Sequence, residues 1–207
     1  MNKISILLPY KENFSPNYAG AVSLHVKETT INSAFKKNIT IYGQTDYKRR
    51  YNLNYVNLSL GKKNIFGSKG KSYVNKFLEY EKKFNSKIIE IHNRPSYLRY
   101  LVNKTSSKFV LYFHNDPLTM EGAKTKEERM YLFENAEKII FISQWIKKRF
   151  LSSLDDHYAK SSKFFVIYHS ANKVPLNFNL KENLITFVGK LNKAKGFDLF
   201  CKSVIKI

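Results

Sequence analysis

Two stretches decide the fold: Ile88-Ile89-Glu90-Ile91-His92-Asn93-Arg94-Pro95 and Phe109-Val110-Leu111-Tyr112-Phe113-His114-Asn115-Asp116-Pro117. Each is an apolar run that ends in His-Asn-x-Pro. Between them, Ser96–Lys104 places Tyr97, Leu98, Leu101 and Val102 on one side of a helix. Strand, helix, strand with so short a connection reads as a right-handed βαβ crossover in a parallel sheet. Both His-Asn pairs then fall just beyond the carboxyl ends of parallel strands, where open α/β sheets bind their ligands. His92, Asn93, His114 and Asn115 are therefore the first candidates for a functional site.

Working outward, the same alternation repeats. Lys3–Pro9 is a buried strand, and Tyr10–Tyr18 is a polar loop. Ala19-Gly20-Ala21 opens a helix that runs to about Phe35. A glycine where a loop turns into a helix lets backbone N–H groups approach an anion, and small residues at helix starts are also common without any ligand. Asn38–Tyr42 and Tyr55–Leu60 read as strands, and Ser72–Phe84 as a helix with a stripe of Tyr73, Phe77, Tyr80 and Phe84. Gly70-Lys71-Ser72 imitates the end of a P-loop, but that pattern needs glycine where Ile65 stands, so it is rejected. Gly61–Lys71 is instead a basic loop or a contact with an anionic surface. Downstream, Lys126–Asn135 is a helix and Ile139–Ile142 a strand. Ser143 caps a helix over Gln144–Leu151. Asp155-Asp156-His157 reads as a surface turn. Phe164–Tyr168 is a further strand, ending at His169. The pattern restarts at Leu184, with a strand Leu184–Val188, a turn at Gly189-Lys190-Leu191, and a helix after Lys195-Gly196.

The whole is an α/β protein with a Rossmann-like parallel sheet and helices on both faces, followed by the first βα unit of a second Rossmann-like domain. The first domain is placed at residues 1–177, and the linker and start of the second at 178–207. The 207 residues are 43% hydrophobic, enough for one well-buried domain and a fragment of another. The single cysteine, Cys201, excludes a disulfide framework and a cysteine zinc site. No run approaches the ~20 apolar residues that span a bilayer. A reduced, cytoplasmic setting is expected, with any membrane contact peripheral to its inner face.

The formal charge of +20 suggests an anionic partner, although abundant lysine with scarce arginine is also what an AT-rich genome produces. The basic residues are spread along the chain, not clustered in a recognition motif, which disfavours nucleic acid.

Four segments resemble the retaining glycosyltransferases of the GT-B fold, family four. They are the Ala19-Gly20-Ala21 turn, His114 at the end of Val-Leu-Tyr-Phe-His, the strand-Ser-helix run Ala136–Leu151, and Phe187–Phe200 with its Gly-Lys-Leu and Lys-Gly. The resemblance implies a nucleotide-sugar donor as co-substrate, with no metal and no other cofactor. It also implies a glycan or lipid-linked acceptor and a place in cell-surface polysaccharide or glycolipid assembly. His114 would stand beside the transferred sugar as the catalytic-site histidine. Gly20, Lys190 and Lys195 would meet the donor diphosphate, and His92, Asn93, Asn115 and Ser143 would line the acceptor side or cleft. Lys190 stands where the family has arginine, keeping the charge but not the bidentate geometry. His169-Ser170-Ala171-Asn172 replaces the family's Pro-Asn-Gly-Val-Asp. The paired glutamates of the donor domain have no counterpart in the sequence. Two other classes compete: a non-catalytic module that binds glycan or a membrane surface, and a basic nucleic-acid binder.

Overall fold

The computed structural model describes residues 3–60, 68–170, 184–189 and 191–205. The chain falls into two compact units, Met1–Ser170 and Ala171–Ile207.

The first unit is built on seven strands: β1 (Ile4–Leu7), β2 (Ile39–Gly43), β3 (Tyr55–Asn57), β4 (Ile88–His92), β5 (Lys108–Phe113), β6 (Lys138–Phe141) and β7 (Phe164–Val166). They form one sheet in the order β3-β2-β1-β4-β5-β6-β7, and every pair is parallel. The chain winds outward from β1 to β3, then returns to the other side of β1 and winds out again. The switch point therefore lies between β1 and β4, and loops leaving these two strands diverge to leave a crevice at their carboxyl ends.

The connections are the helices α1 (Ala21–Ile31), α2 (Lys69–Phe84), α3 (Leu98–Leu101), α4 (Lys126–Asn135), α5 (Gln144–Leu151) and the single turn α6 (Asp156–Ala159). Alternation along the strands sends Ile89, Ile91, Phe109, Leu111, Phe113, Ile139, Phe141 and Phe164 to one face. There they pack with Tyr73, Val74 and Phe77 of α2, Leu98 and Leu101 of α3, and Phe150 of α5. On the other face Ile6, Leu8, Ile39 and Ile41 meet Val22 and Val26 of α1.

The sequence expectations hold in outline and shift at element ends. The helix after Gly20 stops at Ile31, with a 3-10 turn over Lys36–Asn38 before β2. The helical stretch expected over Ser96–Lys104 condenses to a 3-10 turn, Pro95–Tyr97, and four residues of α3. Pro95 starts the turn because its fixed φ suits a first helical position and its missing N–H is not needed there. α2 starts earlier than expected, so Lys69, Gly70 and Lys71 lie in its first turn. Residues 61–67 of the basic stretch lie outside the described residues. The Asp155-Asp156-His157 turn is helical, as the first part of α6.

Ser143 caps α5 as read, and the structure adds a second cap on α4. Ser143 Oγ accepts from Ile146 N at 3.2 Å, and Thr125 with Glu128 closes a reciprocal capping box on α4. Arg129 is buried without a carboxylate. Its guanidinium donates to the carbonyls of Ala123, Lys124, Thr125 and Ser152, tying the entry of α4 to the exit of α5.

In the second unit the structure corrects one expectation. Residues 184–188 form no strand among the described residues, because a strand needs a ladder partner and none is described there. The helix that follows is present as α7 (Phe197–Val204), with Phe187 packed on Phe197 and Phe200 at 5.2 and 5.4 Å between ring centres.

Gly122 marks the closest backbone approach in the first unit. Its φ is +86°, and a Cβ there would sit 2.7 Å from the backbone N and Cα of Ser96. Left-handed backbone and contact with immobile main chain add up, so Gly122→Ala is expected to destabilise the fold by about 2–3 kcal/mol. Urea denaturation reads this directly, and an unchanged midpoint would refute the close approach.

Candidate functional site

The alternation that sends apolar residues to one face of β4 and β5 sends Glu90, His92, Tyr112 and His114 to the other. Register pairs His92 with Tyr112 across the ladder, and their rings stack at 4.9 Å with 7° between planes. Asn93 follows with φ +54°, a conformation asparagine tolerates better than most residues. Its N–H donates to Tyr112 O at 2.8 Å, and its Oδ1 accepts from His114 N at 3.2 Å. The buried asparagine thus fixes the backbone at both histidines, and its side-chain oxygen is spent on structure.

His92 and His114 are brought together, and two further histidines join them. His92 Nδ1 lies 2.9 Å from His114 Nε2, and His114 Nδ1 lies 3.0 Å from His169 Nε2. At the other end, His92 Nε2 lies 3.1 Å from Glu90 Oε1. His25, on α1, stacks on His169 at 4.6 Å and packs against Tyr112 and His114 at 5.1 and 5.2 Å. Four of the five histidines of the chain therefore meet at one place, beside the switch point. His92 and His114 are buried, His25 half-buried and His169 exposed.

Such crowding disfavours positive charge. Burial, then repulsion from His92, His25 and His169, lowers the His114 pKa to about 2. Burial, then His92 and His169, lowers His25 to about 4, with Glu90 pulling the other way. His169 is lowered too, by desolvation and by His92. Burial followed by Glu90 raises the Tyr112 phenol well above its ordinary value. Among the described residues no group of three or more His, Cys, Asp or Glu side chains is arranged to hold a metal ion. The imidazole nitrogens face one another in sequence; they do not converge on a point.

A second feature lies nearby, at the start of α1. Gly20 is its N-cap in extended conformation, and the position where an anion would sit is held by the Glu12 carboxylate, whose Oε1 accepts from Ser23 N at 3.0 Å. A Cβ on Gly20 would collide with that carboxylate. The helix N-terminus therefore does bind an anion, and the anion is a side chain from the loop after β1.

The remaining sequence candidates separate. Asn115 is exposed and lines a cavity of about 350 Å³ with Asn93, Arg94, Ser96, Thr119 and Glu121. Ser143 is engaged as the α5 cap. Lys195 lies in the second unit with its side chain exposed and its N–H on Asn192 Oδ1 at 3.1 Å. Lys190 lies outside the described residues. Glu12, His25, Glu90 and His169 were not singled out by sequence reasoning. His169 carried a usable signal, because it follows an apolar strand as His92 and His114 do. His25 and Glu12 carried none, since their roles arise where α1 docks.

No family model matches the chain, and no curated protein matches it. Solved structures do. Sucrose-phosphate synthase from Thermosynechococcus elongatus superposes with a TM-score of 0.57 at 14% identity, over 83% of this chain and 49% of that one. The apo form of the lipopolysaccharide outer core galactosyltransferase WaaB gives 0.54 at 15%, over 82% and 46%. A glycosyltransferase from Rickettsia africae ESF-5 gives 0.51 at 18%, over 83% and 44%. The chain thus shares its Rossmann-like fold with part of these glycosyltransferases, and it spans less than half the length of each. Among the described residues no helix is long and apolar enough to cross a membrane.

The lowered histidines set a pH dependence. Below the ordinary value of 6.5 the unfolded chain takes up protons at His25 and His114 that the folded chain refuses, so stability is full above that pH and falls as pH drops. The His25 share is lost between pH 6.5 and about 4, and the His114 share continues to about 2. Urea midpoints over this range should fall steadily, and His25→Phe, which keeps a ring in the stack, should flatten the upper part. A wild-type profile that is level down to pH 4 would contradict a neutral cluster.

Proposed function

We propose that the chain is the acceptor-side part of a retaining glycosyltransferase of the family-four kind. It would move a sugar from a nucleotide-sugar donor to a glycan or lipid-linked acceptor in cell-surface polysaccharide or glycolipid assembly. The observation that carries this reading is the site at the switch point. His114 is held rigidly at the carboxyl end of β5, and the anion-binding N-terminus of α1 opens after β1, on a fold shared with three glycosyltransferases.

Glycosyl transfer requires a diphosphate leaving group to be stabilised as negative charge develops on it. The first N–H groups of α1 suit that task, and Lys190 and Lys195 of the second unit would supply cations. Residues 178–207 are then the beginning of the donor-binding domain. His114 is kept neutral by burial and its neighbours, and both of its ring nitrogens meet His92 and His169, so it would act beside the sugar by holding that cluster in place without adding a competing positive charge. Glu12 occupies the α1 N-terminus, so a diphosphate bound there would displace it. The formal charge of +20 supports peripheral contact with an anionic membrane, where lipid-linked acceptors reside.

Release of nucleoside diphosphate from a panel of nucleotide sugars, with membrane extract as acceptor, tests the reading on a protein that includes a donor-binding half. Turnover supports it, and acceptor binding without any turnover would favour a non-catalytic module. In the active protein His114→Ala should lower turnover by about 100-fold with the circular dichroism spectrum retained. Glu12→Gln removes the resident negative charge, so nucleoside diphosphate should bind about three- to tenfold more tightly. Equal affinity in the two proteins would show that the diphosphate does not sit at α1.

A further inference from the structure

The imidazole contacts form a chain, and one placement of the ring protons gives that chain a single polarity. A carboxylate oxygen accepts, so Glu90 obliges His92 to donate from Nε2. With every ring taken as neutral, each imidazole has one N–H, so a His92 that donates from Nε2 accepts at Nδ1, and His114 then donates to it from Nε2. His114 Nδ1 in turn must accept, and His169 must donate from Nε2. That placement runs one polarity through three contacts of 3.1, 2.9 and 3.0 Å, and among the described residues it leaves the His169 Nδ1 lone pair unspent on the exposed ring.

We propose that Glu90, His92, His114 and His169 form a proton relay, with His169 Nδ1 as its outer terminal and the Glu90 carboxylate as its proton store. The relay rests on these four side chains alone. Its use on an acceptor hydroxyl rests on the glycosyl-transfer reading.

The step balances as follows. The hydroxyl proton of the acceptor goes to His169 Nδ1, and its oxygen forms the new bond to the sugar carbon as the bond to the leaving phosphate breaks. The proton on His169 Nε2 passes to His114 Nδ1, that on His114 Nε2 to His92 Nδ1, and that on His92 Nε2 to Glu90. All three rings end neutral with their tautomers reversed, and Glu90 ends as a carboxylic acid. Release of product lets the reverse sequence return the proton through His169.

The surroundings suit a relay better than a stored charge. The other titratable groups facing the rings are His25 from α1 and Tyr112 from β5. Neither offers a negative charge that would trap an imidazolium midway, and burial keeps His114 neutral. Stacking on Tyr112 and His25 holds the rings against rotation, so the polarity persists. Glu90 also lines a cavity of about 290 Å³ with His25 and Tyr112, so the inner end of the relay is not sealed in the apolar core.

The test is nitrogen NMR on the ¹⁵N-histidine-labelled chain, which reads the tautomer of each ring and the exchange of its N–H with water. The expected result at neutral pH is Nε2–H on His92, His114 and His169. A ring found as Nδ1–H would overturn the proposal, because two donors or two acceptors would then meet and no proton could pass. Exchange supplies the second readout. His169→Phe removes the terminal, and His169→Gln keeps a donor to His114 Nδ1 but cannot pass a proton. Both should slow exchange of the buried His92 and His114 ring protons by about tenfold or more, whereas a merely structural His169 would, when lost, loosen the site and speed exchange. Unchanged or faster exchange in the folded Gln variant would overturn the relay. Ordered tautomers and slowed exchange in a protein that transfers no sugar would support the relay and count against the glycosyl-transfer reading.

Discussion

The structure depends on the parallel ladder that joins β1, β4 and β5. In a parallel sheet every strand leaves by the same edge, so the loops after β1, β4 and β5 are obliged to meet. Pairing Ile4 with Ile88, and Ile88 with Lys108, sets which side chains stand opposite one another along the whole edge. A slip of one residue in β5 would exchange Tyr112 and His114 with Leu111 and Phe113. Tyr112 and His114 would then enter the apolar core, and Leu111 and Phe113 would take their place on the α1 side. The large apolar face, with Ile89, Leu111, Phe113 and Phe141 nearly free of solvent, makes that slip prohibitive.

Polar residues at the crevice are therefore held by apolar residues behind them. Asn93 adds a local lock by bonding Tyr112 and His114, and Asp116 does the same one turn further on. Asp116 accepts two hydrogen bonds from Arg149 Nε and one from its Nη2, at 2.9–3.2 Å, and caps its own turn at Leu118 N. The Arg149 guanidinium keeps that carboxyl below its usual range. The segment after β5 is thus pinned at both ends of the short run from His114 to Leu118. Hydrogen bonds on both sides of this run hold its backbone in one conformation.

Two carboxylates partner the polar groups on the α1 side of the sheet. Glu12 satisfies the α1 N-terminus, and Glu90 orders the histidines. Both give buried polar groups a partner that an unpaired helix end and a set of rings alone would lack. Elsewhere the same device is structural. Glu81, buried near the end of α2, accepts from Ser5 Oγ, Ser86 N and Ser86 Oγ, and so ties the helix to the starts of β1 and β4.

The sequence by itself determined the parallel α/β sheet, the place of the crevice and the presence of His92 and His114 in it. Those follow from local facts: apolar runs with period two, helices between them, and His-Asn-x-Pro at two strand ends. Helix ends were less legible, and α3 shrank to four residues because Pro95 and the packing of Tyr97 used the chain in a 3-10 turn. Residues 184–188 read as a strand from composition but have none described, since a strand depends on a neighbour that composition does not supply. Only the tertiary structure decided that His25 and His169 join the cluster, that Glu90 meets the His92 ring, and that Glu12 fills the helix end. His25 and His169 come from elements far along the chain from β4 and β5, and Glu12 reaches α1 from the loop after β1, so these meetings depend on how α1 docks and on the order of strands. A residue's own neighbours in sequence fix its face and its propensity. What it touches across the crevice is set by packing of elements far apart in the chain.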